Sequence, residues 1–122
     1  MNLCYLSLGS NQKSPERQVR QAINAIKCMP QTSMIRASKL YWTKAWGNHT
    51  QQDFCNAVVK ISTCLSPFSL LKYCQNIELR QGRVRKKHWG PRSLDIDIIL
   101  YGERSINSPK LIIPHPYFLE RD

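Results

Sequence analysis

Serine followed by proline occurs twice, at Ser14-Pro15 and Ser66-Pro67, each time between an alternating apolar run and a run of helical period. Proline at the first helical position sacrifices no bond, because that N–H has no partner inside the helix. The serine before it offers a hydroxyl oxygen to the orphan amides of the first turn. Glu16 adds an acid to the positive end of the first helix. Val19, Ala22, Ile23, Ile26 and Met29 then keep helical spacing until Pro30 stops the run. After the second pair, Leu70, Leu71, Cys74 and Ile77 carry a helix to about Gly82.

Strand-like stretches frame both helices. Residues 3–8 (LCYLSL) alternate and are broken by Gly9-Ser10-Asn11; residues 33–42 alternate weakly; residues 54–63 place Ala57, Val59 and Ile61 on one face; residues 94–101 close the set. The order is β-α-β-β-α-β. Right-handed crossovers then give a four-stranded antiparallel sheet with both helices on one face, an α+β, ferredoxin-like arrangement whose other face is open to carry a site. Residues 44–53 read as a loop, residues 82–92 as another, and the last twenty residues hold only short pieces between Pro109, Pro114 and Pro116.

The chain of 122 residues reads as one domain. It has no apolar run of about 18 residues, so no membrane span is expected, and MNLCYLSLGS lacks the pattern of a secretory leader, which points to the cytoplasm. Cys4, Cys28, Cys55, Cys64 and Cys74 show no CxxC spacing and read as small buried hydrophobes in a reducing compartment. Basic side chains outnumber acidic ones by 18 to 8, and Arg80, Arg83, Arg85, Lys86, Lys87 and Arg92 cluster within thirteen positions. Such a cluster either attracts phosphate in some form or is a solvated face.

Directly after it comes GPRSLDIDIILYG, residues 90–102. On a strand Asp95 and Asp97 share a face, with backbones about 6.6 Å apart, and Ile96, Ile98 and Leu100 point the other way. Paired carboxylates beside cations suit a hard cation such as Mg²⁺ at a polyphosphate; salt bridges to Arg92 are the structural alternative. Arginines of the loop can grip phosphate oxygens two at a time. Trp89 either stacks on a base or anchors the loop. His115, between Pro114 and Pro116, has a restricted backbone and is either a surface residue or a directed imidazole.

These stretches carry a resemblance. Arg83-Val84-Arg85 and Trp89-Gly90-Pro91-Arg92-Ser93-Leu94-Asp95-Ile96-Asp97-Ile98 are similar to the signature of the 6-hydroxymethyl-7,8-dihydropterin pyrophosphokinase family. Leu8-Gly9-Ser10-Asn11, Thr43 with Trp46-Gly47, Asp53-Phe54 with Asn56-Ala57, Ile77-Glu78, Ile113-Pro114-His115-Pro116 and Glu120-Arg121 follow in the family's order. The resemblance implies transfer of the diphosphoryl group of ATP to the pterin's hydroxymethyl oxygen, with release of AMP. It implies two Mg²⁺ ions on Asp95 and Asp97, and Arg83 and Arg92 neutralising the moving group. His115, Lys110, Arg85 and Arg121 would meet the phosphates, and Gln75, Glu78, Trp89 and Ile98 the nucleotide. Thr43, Trp46, Phe54 and Asn56 would form the pterin pocket, with the Phe54 ring stacked on the substrate and Asn56 on its edge.

No GxxxxGK[ST] loop is present, so side chains and metal would hold the phosphates, with both long loops closing over the substrates. The partners expected are ATP and the pterin alone, with a monomeric protein and neither nucleic acid nor membrane. Family members continue beyond the position of Asp122, so the expected domain, residues 1–122, is short at its C-terminal end. Two other readings stand beside this one. One is a truncated relative that binds nucleotide without turnover. The other is a basic RNA-binding domain using Tyr41, Phe54 and Trp89 as stacking platforms; there the paired aspartates would repel the ligand.

Overall fold

The computed structural model describes residues 1–44, 53–82 and 93–116. The elements run β1 (Asn2–Ser10), α1 (Pro15–Lys27), β2 (Thr32–Ala37), β3 (Tyr41–Thr43), β4 (Phe54–Thr63), α2 (Pro67–Arg80), β5 (Asp95–Tyr101), β6 (Ile106–Asn107) and β7 (Ile112–Ile113). The main sheet is antiparallel, in the order β2-β4-β1-β5, with β3 paired to β4 beside β2; β6 and β7 form a separate small ladder. This is the expected α+β, ferredoxin-like layout.

Alternation makes the two faces of the sheet chemically different. On β4, Cys55, Ala57, Val59, Ile61 and Thr63 are buried while Phe54, Asn56, Val58, Lys60 and Ser62 are only half-buried. The buried set meets Val19, Ala22 and Ile26 of α1 and Leu70, Cys74 and Ile77 of α2, in one core with Cys4, Leu6 and Leu8 of β1. The other face is therefore the polar one, and it carries both aspartates.

Local chemistry accounts for the departures from the sequence reading. Ser66 caps α2 as expected, its hydroxyl accepting the Ser69 amide at 3.2 Å. Ser14 does not cap α1 with its hydroxyl: it sits at φ 60°, and its carbonyl accepts the Gln18 amide at 3.1 Å. The expected break at Gly9-Ser10 is absent, and β1 runs on to Ser10 between β4 and β5.

The strand expected over 33–42 is two strands, because the ladder shifts at Ile35 and again between Ala37 and Tyr41. Ser38 bridges the gap: its amide donates to the Val58 carbonyl at 2.8 Å and its hydroxyl accepts the Val58 amide at 2.9 Å. A further shift, opposite Tyr5 and Leu6, places an extra residue, Ile99, in β5. Leu100 consequently turns to the polar face while Ile99 and Tyr101 are buried. Cys4, Cys55 and Cys74 are buried as expected, but Cys28 and Cys64 are exposed. Burial pushes the Cys4 thiol up to about 11 and that of Cys74 higher still. No helix among the described residues is long and apolar enough to cross a membrane.

Candidate active site

Four strands build the site on the polar face. Across the ladder, Asp95 of β5 lies opposite Gly9 of β1, Gly9 opposite Asn56 of β4, and Asn56 opposite Tyr41 of β3. One step further along β5, Asp97 lies opposite Ser7, and one step along β4 in the other sense Phe54 lies opposite Thr43. Directly opposite residues share a face, so a single surface holds Asp95, Asp97, Asn56, Phe54 and Thr43.

Gly9 is what allows the row to close up. A Cβ on it would meet Asn56 Oδ1 at 3.0 Å and the Phe54 ring at 3.8 Å. Asn56 is in turn held at its other end: its Nδ2 donates to Thr43 Oγ1 at 2.9 Å, to the Phe54 carbonyl at 3.2 Å and to the Tyr41 carbonyl at 3.3 Å. The amide thus ties three of the four expected pterin-side residues, Thr43, Phe54 and Asn56, into one unit, with its oxygen turned towards β1.

His115, far away in sequence, arrives at the same face. Its amide donates to the Ile99 carbonyl at 3.0 Å, which docks the segment after β7 on β5. Its Nε2 then lies 3.6 Å from Asp97 Oδ1, with the imidazole one-fifth exposed and the carboxylate about two-fifths exposed. The histidine and the aspartate, read separately in the sequence, are neighbours.

The remaining expected residues are placed elsewhere on the fold. Gln75 is exposed on α2 and Lys110 is exposed between β6 and β7. Ile98 is buried in the core on the helix side of β5, opposite Leu6, so its side chain points away from the aspartates. Glu78 is also on the helix side, buried to 4% exposure, where its Oε2 accepts the Ile96 amide at 2.8 Å. Trp46, Arg83, Arg85, Trp89, Arg92 and Arg121 lie outside the described residues, as do most of the two loops expected to close.

Asp95 and Asp97 fit a magnesium site in their donor chemistry. They supply hard oxygens, they are half-exposed, and among the described residues no three His, Cys, Asp or Glu side chains gather into a closed metal cage. Mg²⁺ keeps several positions for water and substrate phosphates and takes only one or two protein carboxylates, so an open pair suits it better than a cage. A surface hollow of about 670 Å³ lies on the opposite side of the sheet, lined by Arg20, Asn24, Lys39 and Trp42 among others. It contains none of the chemistry just described.

A family model for 7,8-dihydro-6-hydroxymethylpterin-pyrophosphokinase matches residues 5–122. A 2-amino-4-hydroxy-6-hydroxymethyldihydropteridine pyrophosphokinase of Haemophilus influenzae is 45% identical over 115 residues, 94% of this chain and 72% of the relative. The enzyme of that name from Pseudomonas aeruginosa is 42% identical over 117 residues, 96% of this chain and 72% of the relative. One from Pseudomonas putida is 41% identical over 111 residues, 91% of this chain and 92% of the relative. The chain belongs to the 7,8-dihydro-6-hydroxymethylpterin-pyrophosphokinase family.

Proposed function

We propose that the polar face of the sheet carries out the family's reaction: the diphosphoryl group of ATP passes to 6-hydroxymethyl-7,8-dihydropterin, giving the pterin diphosphate and AMP on the way to folate. The observation that supports it best is the single face shared by a carboxylate pair and a clamped Asn56–Thr43–Phe54 unit, with the side-chain-free Gly9 between them. The hydroxymethyl oxygen attacks the β-phosphorus, the bond from that phosphorus to the α,β-bridging oxygen breaks, and AMP leaves.

This transfer needs positioning and charge neutralisation more than a covalent group on the protein. Asp95 and Asp97 would hold two Mg²⁺ ions, which would supply charge neutralisation at the phosphate oxygens. His115, beside Asp97, meets the phosphates together with Lys110, Arg85 and Arg121, and Arg83 and Arg92 meet the charge of the moving group. On the pterin side, Phe54 stacks on the ring, Asn56 and Thr43 hold its edge, and Trp46 completes the pocket. Gln75, Glu78, Trp89 and Ile98 lie near the nucleotide, Ile98 reaching it from β5 and Glu78 from the helix behind it. The protein works as a monomer in the cytoplasm, on these two small molecules alone.

The test is AMP release by the 122-residue chain supplied with Mg-ATP, with and without the pterin. AMP that forms only with pterin present is the expected result. ADP as product would overturn the diphosphoryl mechanism, and no nucleotide product would favour a relative that binds without turnover.

A further inference from the structure

Among the described residues β5 is an edge strand: in the order β2-β4-β1-β5 it has β1 on one side only. Edge strands leave alternate backbone donors without a ladder partner, and a strand's first residues are the ones that fray. Asp95 is the first residue of β5, and the next amide, that of Ile96, is taken not by a strand but by Glu78 Oε2 of α2 at 2.8 Å. That bond is buried, with Glu78 at 4% and Ile96 at 5% exposure. A carboxylate of this burial makes a strong bond to an amide and leaves a costly orphan when removed.

The two aspartates stand at different places along the strand. Asp97 stands mid-strand, opposite Ser7, and has His115 beside it; its stretch is held again by the bond from the His115 amide to the Ile99 carbonyl. Asp95, the first residue of the strand, lies opposite Gly9. On the outer edge, the peptide group joining Asp95 to Ile96 is gripped by the helix through Glu78.

We propose that Glu78 is a positioning residue for the metal pair, an anchor on α2 that holds Asp95 in strand register so that both carboxylates face the cations at a fixed separation. This rests on the reading of Asp95 and Asp97 as the magnesium ligands. In this role Glu78 acts through the Ile96 amide. An acceptor oxygen is required, a negative charge is not.

Hydrogen exchange of the unsubstituted protein tests the anchor directly. The Ile96 amide is expected to exchange as slowly as the amides paired between β1 and β5, although no strand among the described residues lies outside it. Exchange as fast as an open edge amide would overturn the proposal. Mn²⁺ binding, followed by calorimetry in the presence of a non-hydrolysable ATP analogue, tests the consequence.

Glu78→Leu is expected to weaken Mn²⁺ binding by about tenfold, in the range found when partners behind a metal ligand are removed. Glu78→Gln, which keeps an acceptor, is expected to stay within about threefold of the parent, by the same measure. A folded Glu78→Leu protein with parental Mn²⁺ binding, or a Glu78→Gln protein as impaired as Glu78→Leu, would sink it. Asp95→Asn in the same titration separates the two readings: if Mn²⁺ binding is indifferent to that change, the assignment of the metal pair falls, and the proposal falls with it, while the Ile96 exchange rate still reports the anchor alone.

Discussion

At the scale of single residues the site is set by what is missing from Gly9. The neighbouring strands bring Asn56 and Asp95 to either side of it, and its lack of a Cβ lets Asn56 Oδ1 come within 3.0 Å of the position that atom would occupy. In Gly9→Ala the Asn56 amide must give way by a few tenths of an ångström, and its Nδ2 is already committed to Thr43 and two carbonyls. The expected outcome is a rise in the pterin KM of about tenfold, equivalent to about 1.4 kcal/mol, with the KM for ATP little changed. Steady-state kinetics with each substrate varied in turn checks it. Equal losses for both substrates would mean that the clash is relieved by moving β1 rather than the amide.

Between residues and the whole molecule stand the two helices, whose identical Ser-Pro openings behave differently. Ser66 has an extended backbone and its hydroxyl accepts an amide of the first turn; Ser14 is left-handed and its hydroxyl does not. Ser66→Ala is expected to lower stability by about 1 kcal/mol and Ser14→Ala by less than about 0.5 kcal/mol, read as the difference in urea unfolding.

The contrast marks the limit of the sequence as a guide. Proline at the first helical position is a local rule and held in both cases, but the backbone angle of the serine depends on the preceding turn, where Lys13 is also at positive φ. Element order, the core face of β4 and the shared face of Asp95 and Asp97 were legible because each follows from a period of two or of 3.6. The splitting of residues 33–42, the inversion at Ile99, and the continuation of β1 through Gly9 were not, because they depend on ladder partners remote in sequence. The same is true within the site: the contact of His115 with Asp97 spans eighteen positions, as does the bond from Ile96 to Glu78.

For the molecule as a whole, one sheet separates two tasks. Its helix side is the core and its polar side the site, and β4 contributes to both at alternate positions. Ile61, fully buried, and Asn56, half-buried, are five residues apart on that strand and face opposite ways. Ile61→Ala leaves a cavity among the residues that seat the sheet on its helices, and is expected to cost about 3 kcal/mol of stability.

In a chain of this size such a loss is a large share of the total, so the variant should melt well below the parent. Its kcat at a temperature where it is folded should nonetheless stay within about threefold, because no group on the polar face has changed. Asn56→Ala should do the reverse. Its bonds to Thr43 and Tyr41 are exposed and that to Phe54 is part-buried, each worth about 1 kcal/mol or less, so the melting temperature should move little. Pterin turnover, measured as kcat/KM, should fall by about a hundredfold, the size of effect that goes with an unpaired polar edge on a bound substrate. Thermal unfolding and kinetics on the same two proteins give the answer together. Parallel losses of stability and activity in both variants would mean that the sheet transmits strain between its faces, and the division of labour along β4 would have to be abandoned.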